Sequence, residues 1–250
     1  LTSFTEEDRP KASEAMQLFK EANRMLNQLD AVYQTHGVVN IMDANADGDD
    51  LLLNGKRFPL LRQQAAKLKK DDPFLCLSDF VRPLSSGITD KIGAFATTVD
   101  AEMEQLYAED DYKRMLAQTL SDRLAEATAE KLHEDVRKKL WGYAPDENLS
   151  VKDLHNEKYQ GIRPAVGYPS LPDQSINFLL DELLDMKQIG ISLTENGMMK
   201  PHASVCGLMF AHPASRYFSI GKIGEDQLAD YAARRGMSIE ETKKFLAANL

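Results

Sequence analysis

Arg163-Pro164-Ala165-Val166-Gly167-Tyr168-Pro169-Ser170-Leu171-Pro172-Asp173 is too rigid and too oddly composed to be an ordinary connector. Arg163 carries a planar fork of donors suited to a carboxylate, and Pro164 biases the arginine backbone toward an extended conformation. Gly167 lets a ligand approach the main chain closely, while Tyr168 offers a flat ring with a polar tip. Pro169 and Pro172 stiffen the segment before a helix that begins at about Asp173. Together these residues describe a preorganised binding loop with little entropy left to lose when a ligand arrives.

Upstream of the loop, from about Asp111 to Leu140, the residues Tyr112, Leu116, Leu120, Leu124, Leu132, Val136 and Leu140 fall near one helical face, which predicts the longest helix. Trp141-Gly142-Tyr143-Ala144-Pro145 closes it, since glycine readily caps a helix and proline prevents its continuation. Another amphipathic helix is expected from about Glu7 to Leu29. Val38-Val39-Asn40-Ile41-Met42 and Leu51-Leu52-Leu53, separated by polar turn residues, read as a strand pair or hairpin. Leu60 to Lys70 suggests a short helix, and Phe74-Leu75-Cys76-Leu77 and Ile92 to Val99 suggest two more strands. Downstream, Asp173 to Gln188 reads as a helix stopped near Gly190. Strand-like segments at Ile191 to Thr194, Val205 to Ala211 and Tyr217 to Ile223 follow, then helices at about Glu225 to Arg235 and Ser238 to Ala248. Helices stand apart from runs of strands, without the alternation of a doubly wound fold, so the class expected is α+β with a largely antiparallel sheet.

The 250 residues suit one large domain or two small ones, and 43% hydrophobic content is enough for a substantial core. With 30 basic against 39 acidic residues the formal charge is -9, so nucleic acid would need a local basic patch; Lys67 to Lys70 is short and is followed by Asp71-Asp72. No apolar run approaches the roughly 20 residues that cross a bilayer, and the polar amino terminus lacks signal-peptide features, so a cytoplasmic protein is expected. Cys76 and Cys206 sit far apart in apolar contexts, as buried free thiols do. Asp43-x-Asn45-x-Asp47-Gly48 imitates the start of a calcium loop, but Asn54 stands where the bidentate glutamate belongs, and a polar hairpin turn is expected instead. His133 and His202 lack the spacing of a metal site.

The proline-braced loop, with Gly161-Ile162 before it, resembles the Arg-x-x-x-Gly-Tyr-x-x-x-Pro-Asp signature of the S-adenosylmethionine-binding activation domain of cobalamin-dependent methionine synthase. The similarity extends to Gln17-Leu18-Phe19-Lys20-Glu21-Ala22-Asn23, Gly93-Ala94-Phe95-Ala96, Asp122-Arg123-Leu124-Ala125-Glu126-Ala127, Leu132-His133-Glu134, Trp141-Gly142-Tyr143-Ala144-Pro145 and Ala203-Ser204-Val205. These blocks are collinear over nearly the whole chain. The resemblance implies a single domain of a longer polypeptide, built on a twisted antiparallel sheet flanked by helices and unlike the Rossmann-type methyltransferases. It also implies S-adenosylmethionine as methyl donor, cobalamin carried by a neighbouring domain, and a flavodoxin or similar reductase as electron source. In that chemistry cob(II)alamin gains one electron, and the resulting cob(I)alamin attacks the sulfonium methyl to restore methylcobalamin.

Carried over residue by residue, the resemblance assigns Arg163 to the ligand carboxylate, against a structural ion pair with a glutamate. The main chain around Ala165 to Gly167 is expected to hydrogen-bond the ligand. Tyr168 is expected to face the corrin ring, unless it is a buried loop tyrosine. Glu126 and Glu157 match acidic positions that suit the sulfonium or ammonium, with solvated surface glutamates as the alternative. Asp173 precedes an apolar-periodic helix and is expected to act as its N-cap. Tyr217-Phe218 corresponds to two adjacent tyrosines that touch the nucleoside; Phe218 keeps an apolar contact and loses a hydroxyl. The family also uses an aspartate and aromatic residues upstream of the first helix, before Leu1. Their absence and Phe218 motivate an alternative, a docking module for the cobalamin domain or the reductase with impaired ligand binding.

Overall fold

Every residue from Ile92 to Val99 is buried, which a strand achieves only when both faces of its sheet are covered. A computed structural model describes residues 9–64 and 72–250. In chain order its main elements are α1 (Arg9–Asp30), β1 (Thr35–Asp47), β2 (Asp50–Leu53), β3 (Lys56–Pro59), β4 (Asp90–Val99), α2 (Asp111–Asp135), α3 (Val151–His155), α4 (Ile176–Leu184), β5 (Ser192–Leu193), β6 (Met199–Lys200), β7 (Ser204–Met209), α5 (Glu225–Arg235) and α6 (Ile239–Phe245). Five strands form one sheet in the order β3-β2-β1-β4-β7, with every pairing antiparallel, and β5-β6 form a small separate ribbon. The α+β class is therefore as expected. No helix among the described residues is long and apolar enough to cross a membrane.

The period-2 alternation of β4 divides its side chains between two cores. Ile92, Ala94 and Ala96, with Met42, Ala44, Cys206 and Leu208, pack against Ile176, Leu180 and Leu184 of α4. On the other face Phe95, Val39, Ile41, Val205 and Met209 lie beneath Ala129, Leu132 and Val136 of α2 and the turn after it. Each such aliphatic burial contributes about 1.5–3 kcal/mol, so the two layers hold the sheet between them.

The long helix starts where Asp110 accepts the Lys113 amide at 3.0 Å, and after Asp135 it continues as one wider turn over Val136–Leu140. Its contact line keeps Leu116, Leu132 and Val136 of the expected stripe and adds a row of small residues. Ala117, Ser121, Ala125, Ala129 and His133 are buried, while Tyr112 and Leu140 are exposed. Small side chains at four-residue steps let the helix lie close to the sheet, near enough for Thr97 Oγ1 to donate to the Ala125 carbonyl at 3.0 Å.

Four other expectations are corrected. The described part of Leu60 to Lys70, up to Gln64, is extended rather than helical, with Arg62 bridging Cys76 and its guanidinium holding Asp49 and Asp79; the rest lies outside the described residues. Phe74 to Leu77 makes only that one bridge before a 3-10 turn, Leu77–Phe80, whose Asp79 carboxylate accepts the Cys76 amide. Tyr217 to Ile223 joins no sheet among the described residues, because its main chain is satisfied elsewhere: Ile220 donates to Pro169 O, and the carbonyls of Ser219 and Gly221 accept from Gln63 and Asn249. The helix from Asp173 is also shorter than expected, since Asp185 in the left-handed region ends it after Leu184.

The proline-braced loop is laid along the outer edge of β7. Ile162 and Phe210 exchange both main-chain hydrogen bonds, Leu208 donates to Pro164 O, and Val166 donates to Cys206 O, at 2.9–3.1 Å. Pro164, lacking an N–H, accepts from Leu208 and returns no bond, so the ladder is one hydrogen bond short at that step. Gly207 is what makes the approach possible, since a Cβ there would stand 2.2 Å from Pro164 O and 2.8 Å from Ala165 Cα. At the far end Asp173 is buried and accepts hydrogen bonds from Tyr231 Oη at 2.7 Å and from the amide and hydroxyl of Ser175 at 2.8 Å. It closes the turn before α4 by accepting the Ser175 amide, but the N-cap of α4 is Ser175 and not Asp173 as expected, and the Asp173 carboxylate ties the loop to α5 instead.

Gly207→Ala is expected to destabilise the fold by about 1–3 kcal/mol in urea unfolding, because backbone atoms rather than a flexible side chain must yield. Wild-type stability in this variant would contradict the close-packed edge.

Candidate functional site

A cavity of about 680 Å³ opens between α2 and the edge loop, with Val205 of β7 in its floor and Tyr217, Phe218 and Ser219 in its wall. Strand alternation decides what the loop offers it. Ile162 and Val166 turn into the core on the α4 side, and Arg163 and Ala165 turn the other way, toward α2 and the cavity. Of the residues assigned from sequence, Glu126, Glu157, Arg163, Ala165, Tyr168, Tyr217 and Phe218 all line it. Gly167 does not. Its φ of +85° makes it a turn residue whose backbone conformation favours glycine.

The expected main-chain donors are likewise narrowed. Val166 N–H is used by Cys206 O, Gly167 N–H by Leu171 O, and Tyr168 N–H by Ala165 O. Ala165 N–H points away from β7 and has no partner among the described residues, so it is the amide left for a ligand.

Arg163 reaches into the cavity and forms an ion pair with Glu130, one helical turn beyond Glu126 on α2. Burial works against the guanidinium charge, but Glu130 and the nearby Tyr217 and Tyr159 hydroxyls outweigh it, and the arginine pKa is raised. The pair leaves two buried atoms unused, Arg163 Nε and Glu130 Oε1, neither with a hydrogen-bond partner among the described residues. The structural ion pair with a glutamate, one of the two alternatives in the sequence, is present, and the same arginine lines the cavity. Glu126 is held by Arg123 at 2.6 Å and remains 43% exposed at its side chain, which leaves it free to face a cation across the cavity. Glu157 follows α3 with a φ of +53°, an uncommon conformation for a residue with a side chain, and this backbone turn brings it to the rim.

The aromatic wall is braced from behind. Tyr217 Oη accepts the Arg163 amide at 3.0 Å and shares a hydrogen bond with Tyr159, so its hydroxyl serves the loop and its ring is left for the cavity. Phe218 packs its ring against Phe80, and its main chain is clamped by the Ser170 hydroxyl, which donates to its carbonyl and accepts from its amide. Phe218 thus contributes an apolar surface. Tyr168 stands at the mouth, half exposed, which removes the buried-tyrosine alternative. Beneath Tyr159 lies a buried pair, Arg137 and Glu147, joined by two hydrogen bonds of 2.7 Å, with the guanidinium 4.5 Å from the Tyr159 ring centre. His133 meets the same ring edge-on and shares a 3.3 Å hydrogen bond with Tyr143.

Glu130, Tyr159 and Ser170 were not singled out in the sequence. The four-residue spacing from Glu126 to Glu130 was a usable signal, since i and i+4 share a helical face. Nothing comparable marked Tyr159 or Ser170, whose partners lie 58 and 48 positions away. Among the described residues no group of histidine, cysteine and carboxylate side chains is arranged to hold a metal, and Cys76 and Cys206 are buried free thiols.

The arrangement suits a zwitterionic amino-acid tail attached to a flat, partly apolar body, with a cationic centre between them. Residues 3–236 match the family model described as vitamin B12 dependent methionine synthase, activation domain. The chain is also similar to a crystal structure of the MetH reactivation domain bound to AdoHcy, at 45% identity and a TM-score of 0.88, over 95% of this chain and 78% of that one.

His133 tests the buried support. Burial first, then the charges of Arg137 and Arg163, lower its pKa from 6.5 to about 2. The unfolded chain therefore takes up this proton first, so the stability from the neutral ring is full above about pH 6.5 and is lost as pH falls toward 2. In NMR titration the His133 ring is expected to stay neutral from pH 8 to about pH 5, and a midpoint near 6.5 would contradict its buried placement.

Proposed function

Because the chain belongs to the activation domains of vitamin B12-dependent methionine synthase, we propose that its cavity binds S-adenosylmethionine and presents the sulfonium methyl group for reductive methylation of cobalamin. The observation that carries this is the Arg163 guanidinium, charged, inside a cavity with an unused Nε and three glutamates around it.

Arg163 takes the ligand carboxylate, where a charge-assisted fork fixes direction as well as position. Ala165 N–H adds a main-chain donor. Glu126, Glu130 and Glu157 outnumber the one guanidinium, so the local field favours a ligand with a net positive charge, as a sulfonium donor has. Tyr217, Phe218 and Pro169 form an apolar wall for the nucleoside, and Tyr168 at the mouth is placed to meet the corrin face. Gly167 supports these contacts through the turn it allows. The volume lies within the roughly 300–1,000 Å³ usual for sites of this kind.

Cobalamin, carried by a neighbouring domain of the same or a partner chain, supplies the cobalt nucleophile once a flavodoxin or similar reductase has delivered one electron. No proton moves in a methyl transfer of this type, so no side chain need act as a general base. This chain holds the donor in line, excludes water from the sulfonium and matches its charge. We assign this work to a single domain of a longer cytoplasmic methyltransferase.

Titration calorimetry with S-adenosylmethionine tests the assignment. The chain is expected to bind saturably, and Arg163→Ala to weaken binding about 30-fold or more, the effect of removing one partner of a buried charge pair. Equal affinity in the variant would overturn the role of Arg163, and no binding by the unaltered chain would favour the docking-module alternative.

A further inference from the structure

Resting on that functional reading, we infer that Tyr159 is a positioning residue for the aromatic wall of the cavity: its hydroxyl sets the angle of Tyr217, and the Arg137–Glu147 pair behind it fixes its ring. Tyr217 is 36% exposed on a segment that joins no sheet, and among the described residues no other aromatic ring packs against it. A side chain in that situation would swing between rotamers unless its tip were held. The tip is held twice, by the Arg163 amide, which donates to it at 3.0 Å, and by the hydrogen bond it shares with Tyr159.

Tyr159 has little freedom of its own. Its backbone is pinned on both sides, where Lys158 N–H donates to Asp153 O at 3.1 Å and the Gln160 side chain donates to Ala211 O at 2.8 Å. Its ring is buried, with His133 edge-on at 5.1 Å and the Arg137 guanidinium 4.5 Å from the ring centre. Arg137 is in turn fixed by two hydrogen bonds to Glu147, and it stands in the wide turn that follows α2. Wide turns of this kind frequently mark functional sites. A fully buried ion pair is weak evidence for stability, since packed apolar residues often replace one without loss. Here the planar guanidinium gives the ring a fixed face to lie on. Burial also keeps the phenol protonated, so it can donate or accept toward Tyr217. The column from Glu147 through Arg137 and Tyr159 thus carries the rigidity of the fold to a wall residue that is otherwise loosely held.

Tyr159→Phe removes the hydroxyl and keeps the ring over Arg137. Amide hydrogen exchange on the ligand-free variant reads the positioning, and calorimetry with S-adenosylmethionine reads its use. The Arg163 amide is expected to exchange about fivefold faster or more, because its acceptor is no longer steadied, while the Ile162 and Val166 amides keep their wild-type rates. Affinity for S-adenosylmethionine is expected to fall about 3- to 10-fold, the effect of one hydrogen bond. Tyr159→Phe combined with Tyr217→Phe should bind no more weakly than Tyr217→Phe alone, since Tyr159 acts only through that hydroxyl. Unchanged exchange at Arg163, or unchanged affinity, would overturn the inference and leave the functional reading intact. So would an equal loss of protection at Ile162 and Val166, which would assign Tyr159 to the fold, or additive losses in the double variant. If the unaltered chain fails to bind S-adenosylmethionine, the functional reading falls and this inference with it.

Discussion

The structure depends on one edge pairing: the loop from Ile162 to Val166 hydrogen-bonded along β7 as a sixth, interrupted strand. A strand has only two faces, so fixing Ile162 and Val166 in the core beside α4 forces Arg163 and Ala165 to the opposite side. That side is where α2 carries Glu126 and Glu130. A one-residue slip would put the arginine in the hydrophobic layer and the isoleucine in the cavity. Gly207 and Gly161 guard against it, since side chains at either place would collide with the main chain across the pairing.

Around this pairing, burial and charge are set against each other and resolved locally. Arg163 is kept charged in a half-closed site by Glu130, and Arg137 in the layer below donates two hydrogen bonds to Glu147. His133, between the two arginines and without a carboxylate of its own, resolves the same conflict by staying neutral. Breaking a buried pair by deleting one member costs about 3–5 kcal/mol, so these groups constrain the cavity more than they stabilise the fold. Asp173 plays the corresponding part at the other end of the loop, gathering Tyr231, Ser175 and Arg235 at a buried carboxylate.

What was legible in the sequence followed from local chemistry. Strand-like runs such as Ile92 to Val99, the helix from Asp111 and the stiff loop at Arg163 each carry their cause within a few residues. The family blocks added the site residues near that loop. What was not legible depended on partners distant in the chain. Tyr217 to Ile223 has strand composition, yet its main chain is claimed by Pro169, Gln63 and Asn249. The large apolar stripe of α2 gave only part of its contact line, because closeness to the sheet also favours alanine and serine. The glycine on which close packing of the edge loop against β7 depends is Gly207, a position unremarkable in sequence.

Amide hydrogen exchange tests the edge pairing most directly. With and without S-adenosylmethionine, the Ile162 and Val166 amides should exchange slowly, as members of the sheet. Ala165, between them, should exchange rapidly in the free chain and slow down only when the ligand is added. Rapid exchange at all three amides in the free chain, or protection of Ala165 that is already complete without ligand, would contradict the account.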